Sequence, residues 1–270
     1  RIKKNFSDCI GNTPLIKLKL ASEISGNNIY GKCEFLNPGG SVKDRPAKQI
    51  IFDAIKENKI QSGGTIVEGT AGNTGIGLCL VGNSLNMKSE IVMPKTQSTE
   101  KKRMLKLCGA KLHLVEAVPY KDPNNYIKFS QKLSTKIKNE NGVLWANQFD
   151  NLSNKNSHYN TTGPEIWNQT NGNLDAFICS IGTGGTLSGL SEFFKEKNKN
   201  IQIGLADPMG SAMYNFFKHG KLKSSGNSIT EGIGQGRVTK NLDGIIIDDY
   251  FQITDNEALN IVFEIIKSEG

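Results

Sequence analysis

The chain has 270 residues, 37% of them hydrophobic and 22% charged, and its 33 basic and 26 acidic side chains leave a net charge of +7. That size and balance fit a globular protein of two modest domains or one large α/β unit, which needs no disulfide or metal staple. No stretch is long and apolar enough to cross a membrane, and no basic stripe interleaves with aromatics, so membrane and nucleic-acid roles are set aside while small anionic substrates fit the charge.

Taken in chain order, residues 29–35 read as a strand. A helix is expected to start near Lys43 or Asp44, because Pro46 is tolerated only in a first turn. Ala47, Ile50, Ile51, Ala54 and Ile55 then fall on its inward face. Residues 65–68 read as a buried strand, 69–73 as a loop and 74–83 as a helix. A strand follows at 90–93, then a helix capped by Ser98 or Thr99 that ends at Gly109. Strands at 112–115 and 143–146 flank a helix over about 123–137. Helical patterns fill 153–170. A strand at 176–180, a loop at 182–185, a helix at 186–197 and a strand at 201–206 come next. Thr254 and Glu257 form a capping box before a helix with Leu259, Val262, Phe263 and Ile266 on one face. Strands alternating with helices imply parallel sheets covered on both faces.

Five cysteines (Cys9, Cys33, Cys79, Cys108 and Cys179) are odd in number, widely spaced and free of any C-x-x-C. They read as reduced thiols of a cytoplasmic protein. The three histidines show no metal-ligand spacing, so no metal is expected.

Three glycine-bearing stretches differ in meaning. "GNNIYGKC" (26–33) has the G-x-x-x-x-G-K spacing. Cys33, however, stands where a magnesium-binding hydroxyl is needed, and the stretch reads as a strand, so a nucleotide P-loop is set aside. "SIGTGGTLSG" (180–189) follows a strand and opens a helix, the context of a phosphate cradle. Gly182, Gly184 and Leu187 fail the dinucleotide pattern. Backbone amides with the hydroxyls of Thr183 and Thr186 can hold a phosphate; a turn whose glycines let helix and strand pack closely explains the spacing equally well. "EGTAGNTGIG" (68–77) sets Thr70, Asn73 and Thr74 beside helix-start amides, which suits a carboxylate. Taken alone, it reads as a helix start capped by Thr70 or Asn73.

A cation at a helix start opposes the helix dipole at a cost of about 0.3–1 kcal/mol. A lone Lys43 would simply be solvated. A cofactor that carries a carbonyl and a phosphate and acts on an amino acid would use both cradles and this lysine, which can form a Schiff base.

"IGNTPLIKL" (10–18), "NPGGSVKDRPA" (37–47), "EGTAGNTGIGL" (68–78), "NQFDN" (147–151), "HYNTTGPEI" (158–166), "GTGGT" (182–186) and "EGIGQG" (231–236) occur in this order. The set resembles the fold-type-II pyridoxal-phosphate enzymes of the cysteine synthase and cystathionine β-synthase family, with the strongest likeness to bacterial cysteine synthases. The resemblance implies a tryptophan synthase β-like α/β fold of two three-layer domains with mostly parallel sheets. A smaller substrate-side domain would cover 38–148, and a larger cofactor-phosphate domain 1–37 with 149–270.

It implies pyridoxal 5'-phosphate as cofactor, with Lys43 as the Schiff-base and catalytic lysine and Asn73 on the ring hydroxyl. Gly182, Thr183, Gly184, Gly185 and Thr186 would hold the phosphate. Thr70, Ala71, Gly72, Asn73, Thr74 and Gln148 would hold the substrate carboxylate, and Gly232 would wall the cofactor's edge. The implied reaction is a β-replacement forming L-cysteine from O-acetyl-L-serine and sulfide through an aminoacrylate intermediate, by a homodimer. Cystathionine β-synthase-like use of serine and homocysteine, or a catalytically weak member acting as a binding partner, are the alternatives. Two departures stand out: Ala71 replaces a serine common in the family, and the serine or threonine expected at the pyridine nitrogen would lie beyond Gly270, so the chain reads as truncated at its C-terminal end.

Overall fold

The computed structural model describes residues 2–270. Strands β1 (Leu15–Lys17) and β2 (Tyr30–Lys32) pair antiparallel, joined by helix α1 (Lys19–Ser25). There follow α2 (Asp44–Lys56), β3 (Thr65–Gly69), α3 (Asn73–Ser84), β4 (Lys88–Pro94), α4 (Thr99–Leu107), β5 (Lys111–Val115), α5 (Tyr126–Lys136), β6 (Val143–Trp145) and α6 (Ser153–Ser157). The chain continues with α7 (Gly163–Gln169), β7 (Ala176–Cys179), α8 (Gly185–Lys197), β8 (Gln202–Pro208), α9 (Met213–His219), β9 (Asp249–Ile253) and α10 (Asp255–Glu269).

Several expectations need correction. The strand over 29–35 is short, because a 3₁₀ turn over Glu34–Leu36 replaces its second half. Helix α5 starts at Tyr126, where the Asn125 side chain accepts the Ile127 N–H at 3.1 Å, and not at Pro123. The helical run 153–170 is broken by a π-helical turn, His158–Thr162. Pro164 follows at the start of α7 and has no N–H to donate back into that turn. Helix α9 and strand β9 were not expected. The first is only seven residues long, and the second mixes polar and apolar residues without clear alternation.

The chain forms two compact units. One comprises the chain up to Gly11 together with Glu34–Ser157; the other comprises Asn12–Cys33 and His158–Gly270. The first holds a parallel four-stranded sheet in the order β5-β4-β3-β6. Every residue of β3 is buried, as an inner strand covered on both faces requires. Ile50 and Ile51 of α2, Ile66 of β3 and Leu78 of α3 form a core on one face. On the other face α5 lies so close to the end of β3 that a Cβ on Gly69 would sit 2.7 Å from the Tyr126 carbonyl.

The second unit holds the parallel sheet β7-β8-β9. Leu187, Leu190 and Phe194 of α8 pack on Ile203 and Leu205 of β8. The "GNNIYGKC" lysine, Lys32, lies on β2 and donates to the Thr13 carbonyl at 2.7 Å, the Glu165 carboxylate at 2.7 Å and the Gln169 amide oxygen at 3.0 Å. Its charge is thus spent within the scaffold. The capping box of Thr254 and Glu257 opens α10, as expected. Near the far end of that helix the Glu269 carboxylate accepts the N–H groups of Lys19 and Leu20 at 2.8 and 2.9 Å. The apolar face of α10 is exposed: Phe263 is 64% and Ile266 61% accessible. No helix of the described residues is long and apolar enough to cross a membrane.

Candidate active site

Lys43 is the N-cap of α2 and is half-buried. The segment before it is held by polar contacts. Asn37 donates to the Glu34 carbonyl at 2.9 Å and to its carboxylate at 2.8 Å, and accepts the Gly11 N–H at 2.9 Å. Gly40 has a φ of +75°, which few side-chain-bearing residues adopt. The Lys43 N–H reaches the Ser41 hydroxyl at 3.2 Å, and Asp44 accepts the Gly39 N–H at 2.5 Å. Burial pushes the Asp44 carboxyl up to about 6.

Arg45 makes a two-pronged ion pair with Glu34, at 2.7 Å from Nε and 2.8 Å from Nη2. Its side chain is nearly fully buried. Arg45→Ala would leave the Glu34 carboxylate without its countercharge, with the Asn37 amide still donating to it. The expected cost is about 3–5 kcal/mol of folding stability, measured by urea unfolding; a loss below about 1 kcal/mol, the range of an exposed pair, would show that the pair is in effect solvated.

The loop 70–74 opens α3 in the same unit. Its N-cap is Gly72, with no side-chain cap, so capping by Thr70 or Asn73 is not what the loop does. The Thr70 hydroxyl accepts the Gly72 N–H at 3.2 Å within the loop. The Thr74 hydroxyl, buried, donates to Gln148 Oε1 at 2.5 Å, and Gln148 Nε2 reaches the Gly69 carbonyl at 3.4 Å. Asn73 is exposed and Ala71 partly so. Gly77 brings the two helix starts together: a Cβ there would meet Asp44 and Ala47 of α2 at 3.1 Å. Lys43, the 70–74 loop and Gln148 therefore share the carboxyl end of one parallel sheet, where α/β ligand sites form.

Glu68, the last residue but one of β3, lies beneath this loop. It is 1% exposed. Burial pushes its carboxyl up to about 8, against the pull of bonds from the Gln148 side chain and the backbone N–H groups of Asn147 and Gln148. The carboxyl is therefore protonated at neutral pH.

In the second unit, residues 182–186 link β7 to α8. Gly184 is the N-cap, with a φ of +87° and no side-chain cap. A Cβ on Gly182 would lie 2.3 Å from the Gly232 carbonyl oxygen, and one on Gly184 would lie 2.6 Å from Leu242. These glycines do permit close approach, but of the Gly232 segment and of Leu242 to the loop and not of strand to helix, and this coexists with a helix start suited to an anion. Three polar contacts fix the loop: the Thr239 hydroxyl donates to the Thr183 carbonyl at 2.8 Å, Gln235 Nε2 to the Gly182 carbonyl at 3.1 Å, and the Gly234 N–H to the Ile181 carbonyl at 2.8 Å. Thr186 Oγ1 lies 3.2 Å from His158 Nε2, whose other ring nitrogen lies 2.9 Å from the Thr162 hydroxyl.

His158, Gln235 and Thr239 were missed as site-supporting residues. The motifs "HYNTTGPEI" and "EGIGQG" contain the first two, but nothing in spacing links them to the loop they brace. Among the described residues no three His, Cys, Asp or Glu side chains gather as a metal ion would need.

These features fit pyridoxal phosphate. A glycine cradle closed by the Gly232 backbone opens a 13-residue helix, with threonine hydroxyls beside it, and can take a phosphate. A half-buried lysine at another helix start can take the carbonyl. The family described as pyridoxal-phosphate dependent enzymes matches residues 6–270. The chain belongs to that family. This pyridoxal-phosphate enzyme is 46% identical over 274 residues to "Cysteine synthase 1" of Neurospora crassa, covering all of this chain and 72% of the relative. The structure of an O-acetylserine dependent cystathionine beta-synthase from Helicobacter pylori matches with a TM-score of 0.86 at 32% identity, over 100% of this chain and 85% of that one. An O-ureido-L-serine synthase structure matches with a TM-score of 0.89 at 29% identity, over 100% and 82%.

Proposed function

We propose that this enzyme forms L-cysteine from O-acetyl-L-serine and sulfide by β-replacement. The observation that carries the reading is Lys43 at the start of α2, packed through Gly77 beside the carboxylate-suited loop that opens α3. The identity of 46% to a cysteine synthase over the whole chain supports it. Lys43 would hold the cofactor's carbonyl carbon until the substrate's amino group takes its place there, and the freed amine would then take the proton from the substrate's α-carbon and return it. Thr70, Ala71, Gly72, Asn73, Thr74 and Gln148 hold the substrate carboxylate, and Asn73 also meets the cofactor's ring hydroxyl. Gly182, Thr183, Gly184, Gly185 and Thr186 hold the phosphate, with Gly232 as a wall. The conjugated ring, when bound, withdraws electrons from the α-carbon. With the α-proton on Lys43, acetate leaves the β-carbon, a sulfur–carbon bond forms there from sulfide, and Lys43 gives the proton back.

A substrate-side domain over 38–148 and a phosphate-side domain over 1–37 with 149–270 belong to this reading, although the compact units divide instead after Gly11, Cys33 and Ser157. A cytoplasmic homodimer acting on small molecules completes the reading; the five cysteines, all free thiols, agree with a reducing compartment.

The test is product analysis with pyridoxal phosphate present. Cysteine from O-acetyl-L-serine and sulfide, formed faster than any product from L-serine and homocysteine, is expected. Cystathionine as the main product with homocysteine would move the assignment toward the activity that names the Helicobacter pylori structure.

A further inference from the structure

The buried carboxyl of Glu68 bonds the side chain of Gln148, and that contact is informative. In the β3–β6 register Val67 lies opposite Trp145, and the Ala146 N–H bonds the Val67 carbonyl at 3.0 Å. The chain leaving β6 therefore passes Glu68 next. Asn147 takes a φ of +50°, rare for a residue with a side chain. This turn carries the N–H groups of Asn147 and Gln148 onto the Glu68 carboxyl, which also bonds the Gln148 side chain. One oxygen, Oε2, has no partner, which leaves those bonds to the other. The Gln148 carboxamide is then held from three sides: by Glu68, by the Thr74 hydroxyl at 2.5 Å and by the Gly69 carbonyl at 3.4 Å. Its backbone carbonyl accepts Asn154 Nδ2 at 2.8 Å.

We propose that Glu68 is a positioning residue that sets the Asn147–Gln148 turn and the Gln148 carboxamide, so that the N–H resting at a long 3.4 Å from the Gly69 carbonyl is the one given up to the carboxylate of the amino-acid substrate. The proposal rests on the reading of Gln148 as a carboxylate contact. Glu68 acts through Gln148 and does not touch substrate. Because the buried carboxyl is protonated at neutral pH, it braces the turn without placing a second negative charge beneath the substrate's own. An amide of the same shape can do the same.

The test uses the full chain loaded with pyridoxal phosphate and the variants Glu68→Ala, Glu68→Gln, Gln148→Ala and the Glu68→Ala/Gln148→Ala pair. Two quantities are read: KM and kcat for O-acetyl-L-serine, and the calorimetric dissociation constant of L-alanine, which has no β-leaving group. Glu68→Ala and Gln148→Ala should each raise KM and the L-alanine constant about tenfold with kcat within about threefold. Glu68→Gln should stay within about twofold of the parent, and the pair should be no worse than Gln148→Ala alone.

If Glu68→Ala lowers only the melting temperature while Gln148→Ala weakens binding, Glu68 is merely structural and the proposal is wrong. Glu68→Gln as damaging as Glu68→Ala overturns it as well. If Gln148→Ala changes neither quantity, the carboxylate reading of Gln148 fails and takes the positioning role with it. Should Glu68→Ala not fold, Glu68→Asp, which withdraws the carboxyl by one methylene, replaces it with the same expected and overturning results.

Discussion

Lys43→Ala removes the visible absorbance that pyridoxal phosphate gives the parent chain and lowers turnover about 10³-fold or more. The size follows from the two tasks lost together: holding the cofactor's carbonyl carbon and moving the substrate's α-proton. The fold should survive. Lys43 makes no side-chain cap, and α2 is held by Ile50 and Ile51 in the core and by the Arg45–Glu34 pair. Removing a cation from a helix start is worth about 0.3–1 kcal/mol in the stabilising direction. The melting temperature of the cofactor-free chain should therefore hold or rise slightly relative to the cofactor-free parent, while activity disappears. A variant that keeps both absorbance and turnover would assign the lysine role elsewhere.

Gly182→Ala should weaken pyridoxal phosphate binding about 10- to 100-fold, the equivalent of about 1–3 kcal/mol of overpacking. The added Cβ would stand 2.3 Å from the Gly232 carbonyl oxygen, a backbone atom with no rotamer to escape through. Either the loop over 182–186 or the Gly232 segment must move. The loop has little freedom to do so without losing the bonds from Gln235, Thr239 and Gly234. The substitution distinguishes the two meanings of these glycines. Weakened cofactor binding, whatever stability the overpacking also costs, marks the loop as the phosphate cradle. Lost stability with unchanged affinity marks it as packing alone. Titration of the cofactor beside a thermal melt reads both.

Much of this was visible in the sequence, for identifiable reasons. Pro46 fixes where α2 begins, and the inward face at Ala47, Ile50, Ile51 and Ala54 is the one buried in the structure. The β-branched run Thr65–Val67 before Glu68 gives away a buried strand. What stayed hidden depends on contacts between distant residues. Nothing near Gly182 announces that Gly232 closes against it, and no local pattern shows that Thr74 turns to Gln148 and leaves its helix uncapped. The buried strand over 65–68 includes Glu68, but only the turn at Asn147 shows a carboxyl enclosed by backbone. The π-helical turn at His158–Thr162 escaped because helical periodicity runs through it, with Pro164 as the sole local clue.

The most direct test of the account is to find the atom that holds the cofactor. The purified chain is loaded with pyridoxal phosphate, reduced with borohydride to fix the bond, digested and mapped by mass spectrometry. The account predicts one pyridoxyl label, on Lys43, absent from Lys43→Ala. A label on Lys48 or another lysine, or none on a chain that turns over substrate, would contradict it.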